Sequence, residues 1–135
     1  GIEPLNRYRT SVINTVDQAL AFIKDVERNN VGIHFDTYQA AIEEAKPLDA
    51  LRKCHNKLIH FHASENNRSM PGNGSLPRKE IFKTLQDINY LGHITTETFI
   101  PNSFDSAWNT NNIDSKKNAE QGIKFLKEAL INVEA

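Results

Sequence analysis

The sequence predicts a parallel α/β fold built from four strand–helix units, and three observations carry that expectation. Four short apolar stretches each end in an acid or an imidazole: Ile2-Glu3, 31–36, 58–61 running on to His62, and 94–99. A segment with helical apolar spacing follows each one, and the units repeat at roughly 30 residues, the size of one βαβ step. No linker or low-complexity run interrupts the series, so residues 1–135 read as a single domain.

Taken in order, Ile2-Glu3 closes an extended piece, and Pro4 keeps a helix from running through it. With no initiator methionine and no lead-in, Gly1-Ile2-Glu3 is expected to open a fragment or a processed chain. Thr15 and Gln18 have the capping-box form, and Val16, Ala19, Leu20, Ile23 and Val26 recur at helical spacing. A helix should therefore open at Asn14-Thr15 and close at Asn29-Asn30. The strand 31–36 puts Val31, Ile33 and Phe35 on one face and His34 and Asp36 on the other. Helical spacing returns over 38–45, and Pro47 with Asp49 starts a second helix through Leu51 and Cys54.

In the strand ending at His62, strict alternation puts Leu58, His60 and His62 on one face and Ile59 and Phe61 on the other. Residues 68–77, centred on Pro71-Gly72-Asn73-Gly74, form a long loop. Pro77 suits the first turn of a helix with the stripe Ile81, Leu85 and Ile88. Tyr90-Leu91-Gly92 then turns the chain into the strand 94–99, whose inward polar residue is Glu97. A second long loop, 101–112, carries Phe104 and Trp108, which either cover the strand ends or form a hydrophobic plug. Asp114 or Ser115 caps a last helix with the stripe Ala119, Ile123, Leu126 and Leu130.

Composition removes several function classes. Charged residues are 24% of the chain and the net charge is -1, which gives no electrostatic footprint for nucleic acid. Cys54 is the only cysteine, so an internal disulfide framework and a multi-cysteine zinc site are excluded, and a reducing, cytoplasmic setting is expected. No apolar run approaches the ~20 residues of a membrane span.

The four strands end in Glu3, Asp36, His62 and Glu97. In parallel α/β folds the carboxyl ends of the strands gather on one face, where ligands bind. Any one of these acids alone reads as a solvated strand end; four polar ends in series read as a site. Three carboxylates and one imidazole form a hard, oxygen-rich donor set that suits Mn²⁺, Mg²⁺ or Co²⁺ better than structural Zn²⁺, with Zn²⁺ left open.

Several motifs extend these ends: Glu3-Pro4-Leu5-Asn6-Arg7-Tyr8, Asp36-Thr37-Tyr38, His60-Phe61-His62-Ala63-Ser64-Glu65-Asn66-Asn67-Arg68, Pro71-Gly72-Asn73-Gly74 and Glu97-Thr98-Phe99. Together they resemble the ketose 3-epimerases of the D-tagatose and D-psicose group, within the xylose-isomerase-like TIM-barrel sugar isomerases and epimerases. The resemblance implies that Glu3, Asp36, His62 and Glu97 hold one divalent metal, Mn²⁺ foremost, with Mg²⁺, Co²⁺ or Zn²⁺ as alternatives. It implies that Glu3 and Glu97 exchange the C3 proton of an open-chain ketose from opposite sides, through an enediolate. Arg68 would bind substrate oxygen, and Glu65 would orient Arg68 or its loop.

Three positions depart from the pattern. Arg9 stands where close epimerases carry a glutamate, Gln39 where they carry a histidine, and Arg78 where a tryptophan is common. Arg9 and Gln39 are thus substrate-side candidates that imply a different sugar, such as a phosphorylated or acidic one, or another reaction on the same metal site; Arg9 reads equally as a surface residue. His60 is expected behind the metal ligands or in the barrel interior, and His34, His55 and His93 are expected to be structural or exposed.

The family's barrel has eight strand–helix units and this chain has four, so the resemblance implies the carboxyl-terminal half of a TIM (β/α)8 barrel. The expected partners are a small sugar and either a second copy of the chain or the missing amino-terminal half, with neither nucleic acid nor membrane. The alternatives are inosose dehydratase-like chemistry on the same metal site and a non-catalytic metal-binding half-barrel. An endonuclease of the same superfamily is disfavoured by the neutral charge balance and by the expected absence of extra metal-binding histidines.

Overall fold

The computed structural model describes residues 1–99 and 114–132. The expected loop 101–112, with Phe104 and Trp108, lies outside the described residues. The order of elements is α1 (Val16–Val26), β1 (Ile33–Asp36), α2 (Thr37–Glu43), α3 (Pro47–Cys54), a 3-10 turn (His55–Lys57), β2 (Leu58–Ala63), α4 (Arg78–Asp87), β3 (Ile94–Thr96) and α5 (Ser115–Asn132). The three strands form one parallel sheet in the order β1-β2-β3. Ile2 bridges Ile33 in parallel, so the extended start of the chain precedes β1 and the segments follow sequence order, as in a singly wound barrel wall.

Local chemistry explains most boundaries. Thr15 and Gln18 complete the expected capping box of α1. The helix ends earlier than Asn29-Asn30, because Glu27 takes the left-handed cap conformation at φ 53 and its N–H bonds Lys24 O. Asp36 caps α2 directly, its Oδ1 accepting from Gln39 N at 2.9 Å, so β1 passes into α2 without a loop. Pro77 precedes the first helical residue of α4 rather than lying within it.

Phe35 and Phe61 pack their rings in parallel, centroids 5.9 Å apart, beneath the helices. Around them the core gathers Val16, Ile23, Ile33, Leu51, Ile81 and Leu85, all at most 8% exposed. Among the described residues no helix is long and apolar enough to cross a membrane.

Three expectations need correction. Leu58 does not share a face with His60 and His62. The register shifts between Ile33↔Leu58 and His34↔His60, so β2 holds one extra residue, Ile59, against β1. Leu58 then joins the core at 8% exposure while Ile59 is 49% exposed. The last strand stops at Thr96, short of residue 99. Its partner β2 ends at Ala63, opposite Thr96, which leaves no strand backbone for residues 97–99 to pair with.

The stripe of α5 is also rotated from the expected one. Ile123 is 59% exposed and Ala119 faces outward, whereas Gly122 and Leu126 are buried and Phe125 and Ala129 half-buried. Gly122 sets this rotation: a Cβ there would stand 3.2 Å from Thr96 Cγ2, so the helix comes down on β3 at its one bare position.

The shifted register constrains the entry to β1. A Cβ on Gly32 would lie 2.6 Å from Lys57 O and 2.5 Å from Ile59 Cγ2. Gly32→Ala should therefore destabilise the fold by about 1–3 kcal/mol, read as a lower denaturant midpoint at unchanged m-value; wild-type stability would refute the close packing.

Candidate metal centre

The register that displaces Leu58 sets Asp36 opposite His62, and His34 opposite His60. All four side chains therefore stand on the sheet face turned away from Phe35 and Phe61. Glu3 arrives beside them from the bridge at Ile2, and Glu97 from just past β3. Ligand atoms of Glu3, Asp36 and His62 all lie within 4.8 Å of one another. Glu97 reaches the same imidazole, its Oε1 3.8 Å from His62 Nδ1. Its other oxygen accepts a 2.6 Å charge-assisted hydrogen bond from Arg68 Nη1.

Two atoms at the centre are unsatisfied. Asp36 Oδ2 and His62 Nδ1 stand 3.6 Å apart, too far to hydrogen-bond, and each is buried without another partner. The acids also crowd one another. Burial, with Asp36 and Glu97 nearby, pushes the Glu3 carboxyl up to about 7. Burial, followed by Asp36, raises Glu97, while Arg68 opposes the rise. The Asp36 carboxylate raises His62 against its own burial. Orphaned donor atoms and mutually repelling carboxylates are the features a divalent cation relieves, so these residues fit one.

The strand ends are also tied together beyond the ladder. Thr37 Oγ1 donates to Ser64 O and accepts from Ser64 N at 2.9 Å, and Ser64 Oγ donates to Glu97 O at 3.1 Å. Arg68 is held in the same place. Its guanidinium carbon lies 3.8 Å from the Tyr38 ring centroid and 4.5 Å from that of Phe99, and Nη1 also donates to Ser64 Oγ at 3.0 Å. Its backbone sits at φ 58, a left-handed conformation that a non-glycine residue adopts at a cost of about 1–3 kcal/mol.

The other expected substrate-side residues are engaged elsewhere. The buried Glu65 uses Oε1 to accept from Gly72 N at 2.8 Å and Arg78 Nε at 2.5 Å, holding the 70–74 loop rather than the Arg68 side chain. Gln39, 4% exposed, accepts from Asn6 N and Nδ2 at 2.9 and 2.7 Å. Arg9 is exposed in the turn after Asn6. Arg78, at the position where close epimerases commonly carry a tryptophan, is thus the counter-ion of a buried carboxylate.

His55 and His93 are exposed, as expected, but His34 is not peripheral. Its ring centroid is 4.0 Å from that of His62, and its Nδ1 is 3.8 Å from Glu3 Oε2. Alternation within 31–36 had already placed it on Asp36's face; the missing signal was its register opposite His60. Tyr38 and Phe99 were also missed as the walls around Arg68, although each ends a motif that was singled out.

Comparison with known proteins follows the same geometry. The xylose isomerase-like TIM barrel family matches residues 1–129. The D-psicose 3-epimerase of Agrobacterium fabrum is 46% identical over 99 residues, covering 73% of this chain and 34% of that protein. A solved L-ribulose 3-epimerase superposes with a TM-score of 0.88 at 28% identity, covering 99% of this chain and 48% of the other. A D-psicose 3-epimerase crystallised in the presence of D-fructose gives 0.87 at 35% identity, covering 96% and 48%. The chain spans about half the length of these solved structures.

Two outcomes are expected of this site. A cation must displace protons that Glu3 and His62 hold with raised affinity, so Mn²⁺ affinity should climb about tenfold or more per pH unit up to about pH 7. For the metal-free protein the sign is opposite. The carboxyl of Glu3 titrates higher folded than unfolded, so its stabilising contribution is complete below about pH 4.5 and lost as pH rises through about 7. Calorimetry across pH checks the first and thermal melts the second. Separately, Arg78→Leu should cost about 3 kcal/mol by leaving Glu65 buried and unpaired, and adding Glu65→Gln should recover part of that loss in urea denaturation.

Proposed function

The chain belongs to the xylose isomerase-like TIM barrel family, and we propose that the whole protein is a divalent-metal-dependent epimerase that inverts C3 of a ketose. In this reading residues 1–135 are four βα units forming the carboxyl-terminal half of the barrel. The observation that carries the proposal is the convergence of Glu3, Asp36 and His62 around two buried, unsatisfied ligand atoms, with Glu97 and Arg68 against them. The similarity to D-psicose and L-ribulose 3-epimerases supports the substrate class.

Glu3, Asp36, His62 and Glu97 would hold the cation, with Mn²⁺ favoured by the oxygen-rich donor set. What it supplies when bound is Lewis acidity toward the C2 carbonyl and C3 hydroxyl, which acidifies the C3 hydrogen. The remaining work falls to the side chains. Glu3, whose raised carboxyl belongs to the cation-free site, would be ionised beside the bound cation and would act as a carboxylate on one side of C3. Glu97, raised by burial and restrained by Arg68, acts on the other side of the carbon. One carboxylate removes the C3 proton, the other returns one to the opposite face, and the carbon inverts.

Arg68, fixed between Tyr38 and Phe99, donates to the substrate oxygens on which charge develops. Gln39 and Glu65 serve indirectly, Gln39 by fixing the segment after Glu3 and Glu65 by fixing the glycine loop. The buried free Cys54 takes no part, its thiol pushed up to about 12 by burial, and it suits a reducing compartment such as the cytoplasm.

The test is exchange of solvent deuterium into C3 across a panel of free and phosphorylated ketoses, with the whole protein loaded with Mn²⁺. Glu97→Gln should lower kcat by about 10²–10⁴-fold, and Arg68→Lys should lower kcat/KM on the order of 10²-fold. Cation binding without exchange on any sugar would favour the non-catalytic reading, and exchange at a carbon other than C3 would move the reaction.

A further inference from the structure

The face that carries the acids also carries three imidazoles. His34 and His60 lie opposite each other in the register, one step along the strands from Asp36 and His62. Ring centroids are 4.0 Å apart for His34–His62, 4.9 Å for His34–His60 and 5.1 Å for His60–His62, each pair edge to face. One nitrogen from each ring can be chosen so that all three lie within 4.8 Å of one another. Three imidazoles on one ion at ~2.1 Å, with a fourth position open, form a recurrent tetrahedral arrangement.

A ligand imidazole is usually oriented through the nitrogen that does not bind, and the surroundings do this for His60. His34 presents a buried Nε2 without a hydrogen-bond partner, while its Nδ1 faces the Glu3 carboxylate at 3.8 Å. His60 has its Nε2 at 3.2 Å from Thr95 Oγ1, which leaves Nδ1 to bind. The acidic set accounts for neither His34 nor His60.

We propose that His34, His60 and His62 form a second metal site, selective for a borderline ion such as Zn²⁺ or Cu²⁺ over Mn²⁺ or Mg²⁺. Imidazole nitrogens favour the former and carboxylate oxygens the latter. The inference meets the proposed epimerase site only at His62, which both donor sets share. An ion on the imidazole set therefore competes for the ring that the acidic set needs, and the hardness of the ion decides which set is filled.

Calorimetry with Zn²⁺ and with Mn²⁺ on the unaltered protein, His60→Gln, His34→Leu and Asp36→Asn tests this. Expected is an increase of about tenfold or more in the Zn²⁺ Kd for both histidine variants, with Mn²⁺ binding nearly unchanged, and the reverse pattern for Asp36→Asn. Zn²⁺ binding indifferent to both histidines, or Mn²⁺ binding lost in step with it, overturns the proposal. The unaltered protein loaded with one equivalent of Cu²⁺ gives a readout that needs no variant. Electron paramagnetic resonance should show coupling to three imidazole nitrogens, and coupling to one alone would overturn it. Zn²⁺ binding through the histidines in a protein that takes up no Mn²⁺ would leave this inference standing and remove the metal-dependent reading of the acids.

Discussion

The strand ends depend on one constraint, the parallel register that holds Asp36 opposite His62. Because side chains alternate along a strand, a slip of one residue would turn every side chain of β2 to the other face. The extra residue at Ile59 absorbs that slip below the site. It lets Leu58 and Phe61 both enter the core while His60 and His62 both point the other way. The bulged residue pushes its own side chain outward against Gly32, and the bare backbone there is what makes room.

Electrostatics then set the character of the site. Glu3, Asp36 and Glu97 are brought together where burial makes their repulsion count, and the guanidinium of Arg68 is turned toward Glu97. The fold accepts a strained backbone at Arg68 to put it there. Aromatic walls and the Ser64 hydroxyl fix the guanidinium in place. Strain and repulsion in one small region, with a well-packed core beneath, are what a preorganised ligand site looks like in energetic terms.

Much of this was legible in the sequence because it is local. The capping box at Thr15, the helix restart at Pro47, the glycine-rich turn and the polar strand ends follow from residues a few positions apart. What was not legible depends on pairing between segments. Alternation assumes an unbroken ladder, so it misplaced Leu58, and nothing near His34 announces that His60 will lie beside it. The stripe of α5 follows the closest approach at Gly122 rather than the largest apolar side chains, which left Ile123 outside. The Glu65–Arg78 pair joins residues 13 positions apart across a loop, and propensity does not encode such a pairing.

Asp36 Oδ1 accepts from Gln39 N, and Gln39 Oε1 accepts from both nitrogens of Asn6, three residues beyond Glu3. The chain therefore closes a loop from one acid of the site back to another through two buried amides. Losing the Gln39 side chain strands both nitrogens of Asn6, whereas the bond from Asp36 runs to the Gln39 backbone, so Asn6 and Gln39 should diverge among descendants as a pair while Asp36 varies apart from them.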